Sequence, residues 1–160
     1  MPAGRLLRSA ALAALTLLVA ARAAGAQVTL TVTGGPITLP APTVTDYDAG
    51  YAVAPTGLAF QANVAGAATN RTTTVSIRAT AATLGGSKLV SDLEWRRADL
   101  GTWNQMSVSD AVIESRPVRK NQLNDPWGNT VFLRMRLTWA SDAPATYTTG
   151  LIVTLTVTTP

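Results

Sequence analysis

Three groups of residues in this 160-residue chain have types and spacings suited to chemistry. Asp92 and Glu94 stand two apart in a segment that alternates like a strand, so both carboxylates would project from one face. Glycoside cleavage uses a carboxylate pair of this kind, one as acid and one as base or nucleophile. Asp46-Tyr47-Asp48-Ala49-Gly50 looks like the start of a calcium loop, where alternating oxygens converge on a hard cation and glycine permits a sharp turn. A third polar ligand and the downstream glutamate are missing, so a plain Asp/Gly turn is the expectation. Trp103, and Trp127 within Asn124-Asp125-Pro126-Trp127-Gly128-Asn129, lie in or beside turn-rich segments. An exposed indole there would stack on a sugar ring while Asn124 and Asp125 bond its hydroxyls, as in a carbohydrate-binding module. The plainer reading makes Asp92 and Glu94 solvated charges, Trp95 and Trp139 core plugs, and Trp103 and Trp127 covers for the open ends of a sandwich.

What is absent narrows the chemistry further. The chain has no cysteine, which removes a disulfide framework, a lipid anchor on cysteine, thiol catalysis and cysteine-ligated metal. It has no histidine, which removes the Ser-His-Asp triad, histidine-bound zinc and the usual base near neutral pH. No enzyme activity and no cofactor are expected. Asn70-Arg71-Thr72 matches the glycosylation acceptor pattern and reads as a loop-to-strand boundary.

The N-terminus carries Arg5 and Arg8, then an apolar run from about Ala10 to Ala21, then the small residues Ala24-Gly25-Ala26. That run is shorter than the roughly 20 apolar residues a spanning helix needs. Residues 1–26 therefore read as a cleaved signal peptide and 27–160 as one mature domain, with Ala21-Arg22-Ala23 offering a second cut three residues earlier. The expected location is the periplasm, the cell surface or the medium, with no integral membrane anchor. Removing Arg5, Arg8 and Arg22 leaves ten basic residues against nine acidic, a net charge of about +1 in place of +4. The remaining Arg116, Arg119 and Lys120, with Arg96 and Arg97 elsewhere, lack the density of a phosphate-tracking surface, so no nucleic acid is expected. An exported domain of this size without disulfides suits a bacterial envelope.

The elements that would position these groups are strands. Segments rich in Val, Thr, Ile and Leu alternate with period two between Gly, Pro, Asn and Asp clusters. The expected strands are Val28–Thr33, Ile37–Leu39, Gly57–Val64, Thr72–Thr80, Leu89–Arg97, Trp103–Val108, Thr130–Ala140 and Gly150–Thr158. Val75 and Ile77 should face the core while Thr74, Ser76 and Arg78 face water. Leu93 and Trp95 should oppose Asp92, Glu94 and Arg96. Val131, Leu133, Met135, Leu137 and Trp139 form the longest apolar stripe. Two-sided alternation of this kind predicts an all-β, antiparallel sandwich, Ig-like or jelly-roll, of about eight or nine short strands. An outer-membrane barrel would need longer and more numerous strands.

The two ends of the mature chain repeat each other. Val28-Thr29-Leu30-Thr31-Val32-Thr33 and Val153-Thr154-Leu155-Thr156-Val157-Thr158 are the same hexapeptide. Val28, Leu30 and Val32, like Val153, Leu155 and Val157, would dock on the core while the backbone lies at a sheet edge, open to a neighbouring molecule. Composition alone also explains two such strands in a chain this rich in Thr and Val. With its signal peptide, cysteine-free Thr/Val-rich strands and closing stretch Tyr147 to Val157, the chain resembles small bacterial envelope proteins of the spore-coat U and pilin-like β-sandwich type. It lacks the cysteine pair and penultimate aromatic of the pilin pattern. The resemblance implies surface assembly by strand exchange, with other copies or other envelope proteins as partners and no catalytic residues. A glycan ligand is the alternative.

Overall fold

A computed structural model describes residues 26–35, 37, 39–85 and 87–159. The expected signal segment, Ala26 apart, lies outside the described residues. Nine strands appear among them: β1 (Gln27–Thr33), β2 (Tyr51–Val53), β3 (Leu58–Ala65), β4 (Arg71–Ala79), β5 (Leu93–Arg97), β6 (Asn104–Gln105), β7 (Ala111–Val118), β8 (Trp127–Arg136) and β9 (Leu151–Thr158). They form two antiparallel sheets, one of six strands and one of three, so the chain is an all-β sandwich.

The larger sheet is built on β8. One edge of β8 pairs with β3 over Trp127–Val131 and then with β2 over Arg134–Arg136, and the other edge pairs with β5. β1 lies outside β3, and β6 lies outside β5. The smaller sheet has the order β7-β4-β9. Alternation places Val131, Leu133 and Met135 on the inner face of β8, where they are almost fully buried, as are Val75 and Ile77 of β4. These residues share one hydrophobic cluster with Leu58, Phe60, Leu93 and Trp95.

The structure departs from the sequence expectations at several places. Asp46 to Gly50 is not a simple turn, because Val44–Ala49 forms a helix, α1. Thr43 and Asp46 close a capping box, with Asp46 Oδ2 accepting from the Thr43 N–H at 2.8 Å and from its hydroxyl at 2.7 Å. Gly50 ends the helix at φ 79°, a left-handed conformation that glycine adopts without strain. Ile37 and Leu39 are irregular chain packed against the core, not strand. Val90–Asp92 is a single 3-10 turn, so Asp92 precedes the strand that carries Glu94.

Strand β7 carries no clean alternation and was not expected. Ile113 and Val118 are buried, Val112 is exposed and Pro117 interrupts the donors, while a bulge between Val75 and Ser76 shifts its pairing with β4. Ser76 and Glu94, expected in water, are both buried. Trp139 is 61% exposed and is no core plug. The sheet ends at Arg136, and Trp139 instead stacks on Tyr47 at 4.6 Å and donates its indole N–H to Asp48 Oδ1 at 3.2 Å, which pins α1. Among the described residues no helix is long and apolar enough to cross a membrane.

Coverage of the inner faces is unequal, and stability should follow it. Leu133→Ala is expected to cost about 2–5 kcal/mol, the loss typical of a filled core site. Val28→Ala, on a half-open strand, should cost less than about 1 kcal/mol. Urea unfolding midpoints of the two variants check this, and equal losses would contradict the unequal coverage.

Candidate assembly surface

β1 and β9 are the outer strands of different sheets on the same side of the sandwich, where they approach each other. In β1, Val28, Leu30 and Val32 sit opposite Val64, Ala62 and Phe60 of β3, which face the core. Cross-strand partners share a face, so the three apolar residues of β1 point inward. By the same test Val153, Leu155 and Val157 of β9, opposite Ile77, Val75 and Thr73, point inward too. They are nevertheless poorly covered. Val28 is 46% and Val32 40% exposed, and every residue of β9 from Leu151 to Leu155 is only half-buried.

The space between these strands is an apolar groove of about 410 Å³, walled by Val32, Ile37, Leu58, Leu151 and Val153. A deeper hollow of about 290 Å³ shares Ile37 and Leu151 with it and reaches Leu84, Leu93 and Leu133 in the core. Each strand has a ladder on one side only, β1 with β3 and β9 with β4, so the opposite backbone edges have no strand partner among the described residues. Sequence reading identified the six inward Val and Leu residues, but not Ile37 or Tyr147 in the walls of the hollow. Only position along an irregular segment places those two, and periodicity does not register it.

The opposite side of the sandwich is built differently. Its outer strands are β6, two residues long, and β7, which carries Glu114, Arg116 and Pro117 and pairs with β4 through a bulge that leaves Ile113 without a partner in the ladder. Short length, charge, proline and bulges are the devices by which natural sheets keep edges from pairing with other chains. β1 and β9 have none of them: seven and eight residues, without charge or proline.

The residues expected to hold a glycan do not converge on one site. Trp103 covers the outer face of the larger sheet, with the guanidinium of Arg134 at 4.4 Å and that of Arg96 at 5.0 Å from its ring centroid. Arg134 also lies 5.0 Å over Tyr51, and Arg96 lies 5.7 Å over Phe132, so the face is a cation-π ladder. Trp127 is the first residue of β8 and not part of a turn. It shares a pocket of about 210 Å³ with Asp125, Arg116 and Gln122, and Arg116 lies 4.9 Å over its ring. Asn124 is turned to Asn63, whose amide donates to Asn124 Oδ1 at 2.6 Å.

The carboxylates are held in structural roles. Glu94 is buried and accepts from Arg134 Nε at 2.6 Å, while Asp92 lies 3.1 Å from Lys88 and 3.8 Å from Arg136. Asp46 serves the capping box, and its hydrogen bonds from Thr43 hold its carboxyl below the usual range. Among the described residues no group of three potential ligands is placed to hold a metal ion.

Removing Arg134 would leave the Glu94 carboxylate buried without its cation. Arg134→Ala should therefore destabilise the fold by about 3 kcal/mol, and by more than Glu94→Gln does. Urea unfolding of the two variants measures the difference, and equal losses would mean that Glu94 is solvated. Comparison of the chain with protein-family models, with curated proteins and with solved structures finds no match in any of the three.

Proposed function

We propose that this chain is an exported structural or interaction protein of the bacterial cell surface or periplasm, which self-associates through its open side by exchange of edge strands. The supporting observation is the unequal treatment of the two sides: β6 and β7 are guarded, whereas β1 and β9 are long, uncharged and flank an unfilled apolar groove. The repeated hexapeptide makes the exchange chemically neutral. Val153, Leu155 and Val157 of one copy, set beside β3 of another, would meet Val64, Ala62 and Phe60 in the register that Val28, Leu30 and Val32 now occupy. Conversely, Val28, Leu30 and Val32 suit the places of Val153, Leu155 and Val157 beside β4. Export rests on the N-terminal sequence, with its two arginines, apolar run and small residues before Gln27.

A second reading has one observation in its favour. Trp127, Asp125, Arg116 and Gln122 share a small polar pocket at the start of β8, a combination suited to one sugar residue. The Arg116 guanidinium over the indole would have to move before a sugar could stack there.

Light scattering on a sizing column separates the readings. The chain from residue 27 should form discrete or filamentous assemblies that grow with concentration. Lysine placed on the outward-facing threonine positions, as Thr31→Lys with Thr156→Lys, should return it to a folded monomer by charging both edges. A wild-type chain that stays monomeric at every concentration removes the assembly reading. Tryptophan fluorescence against a panel of oligosaccharides, with Trp127→Ala as control, then tests the pocket.

A further inference from the structure

The outer face of the larger sheet is rich in aromatic and cationic side chains. The alternation that turns Val131, Leu133 and Met135 inward turns Phe132, Arg134 and Arg136 of β8 outward. Cross-strand pairing adds Tyr51 and Val53 of β2, and Glu94 and Arg96 of β5, to the same face. Tyr51 is 39% and Val53 47% exposed, while Trp103 and Phe132 are half-buried. Gln105, opposite Glu94, is exposed beside them.

The charges on this face do not balance. Glu94 is committed to Arg134, whose Nε lies 2.6 Å from it. Asp92 is shared: it lies 3.1 Å from Lys88, which also holds Asp142 at 2.7 Å, and only 3.8 Å from Arg136. Arg96 forms no ion pair among the described residues. Its guanidinium lies over the rings of Trp103 and Phe132, and its Nε is buried without an acceptor. Arg96 on β5 and the half-exposed Arg136 on β8 are thus two cations without a close anion. Arg96 stands opposite Phe132, four residues before Arg136, which sets the two about 14 Å apart along the sheet at about 3.4 Å per residue. Arg134 occupies the interval, with Trp103 and Tyr51 against its guanidinium.

We propose that this face binds a carboxylated polysaccharide. Arg96 and Arg136 each hold a carboxylate, which matches the guanidinium fork. The exposed apolar surface of Tyr51 and Val53 lies beneath the C–H faces of the sugar rings, and the Gln105 amide bonds their hydroxyls. The ligand is several rings long, since a single sugar does not reach both guanidiniums. Nucleic acid suits the face less well. Its bases need open ring faces, whereas guanidiniums already stand over Trp103, Phe132 and Tyr51. Two cations are also too sparse a track for consecutive phosphates. The site is separate from the assembly surface, because it is built on β2, β5 and β8 and leaves the edges of β1 and β9 free.

Calorimetric titration of the purified full chain with polygalacturonate, an uncharged glucan and oligothymidylate is the test. Polygalacturonate should bind at low salt, change the tryptophan fluorescence and release as salt is raised. The glucan should not bind, and oligothymidylate should bind more weakly. Arg96→Gln and Arg136→Gln should each weaken polygalacturonate binding about tenfold, the loss expected of one charged hydrogen-bonded contact. Arg119→Gln, which removes the same charge from the exposed loop after β7, should leave binding unchanged. Circular dichroism checks that each variant is folded, and Arg136→Gln carries the test alone where Arg96→Gln is not, because its side chain is half-exposed. No binding of polygalacturonate at low salt, equal binding of the glucan, an equal loss in Arg119→Gln or tighter binding of oligothymidylate would each overturn the proposal.

Discussion

A sheet of six strands cannot be covered by a sheet of three, and most features of this molecule follow from that mismatch. Where β4 and its neighbours lie over β8, the inner residues are dry: Val131, Leu133 and Met135 meet Val75 and Ile77 in one cluster. Away from that overlap, apolar faces must find other cover. At one end α1 provides some of it, with buried Tyr47 held under Trp139. On the outer face of the larger sheet the ladder of Trp103, Arg96 and Arg134 keeps water from Glu94. Along β1 the cover is thin, because β9 of the smaller sheet approaches it but leaves a groove between them. Filling a side chain of the size of valine or leucine into a core is worth about 1.5–3 kcal/mol, so the inward residues of β1 leave part of that gain unrealised within a single chain.

This deficit gives the edges their meaning. An edge strand with a polar inner face would gain little from a partner, and a fully covered one would have nothing left to gain. β1 and β9 combine unpaired backbone with half-covered apolar residues, so pairing adds main-chain hydrogen bonds and apolar burial together. β7 differs from both in carrying Pro117 and the charged Glu114 and Arg116, features that discourage pairing with another chain.

Legibility in the sequence tracked periodicity. β8, β4, β1 and β9 alternate cleanly, and their inward faces were readable because cross-strand geometry converts period two into one face. β7 escaped because its bulge and Pro117 break the alternation. The helix α1 escaped because Asp46 and Asp48 read as turn residues, although Thr43 three before Asp46 is a capping signal. Trp139 continues the apolar stripe of β8 on paper, but the sheet stops at Arg136 once β2 and β5 run out of partners. Depth was the least readable quantity. Val28 and Val131 belong to similar patterns, and only the presence of an opposing strand makes one half-exposed and the other dry. The Lys88, Asp92 and Asp142 cluster is likewise invisible in sequence, because its members meet only when the turn after β8 folds back on the segment before β5.

The place of the open strands along the chain also matters. Among the described residues β1 is the first strand and β9 the last, so each can leave its sheet without unthreading any other strand. β1 is joined to the rest through Gly34, at φ 91°, where an added Cβ would lie 2.5 Å from the Gly57 carbonyl oxygen. That position tolerates only glycine. β9 follows a stretch from Leu137 to Gly150 that forms no strand. An interior strand such as β8 holds three neighbours and could exchange only by dissolving the sheet. In the proposed exchange, release of β1 or β9 would cost one ladder and the matching strand of another copy would return an equivalent one, because the two strands carry the same hexapeptide.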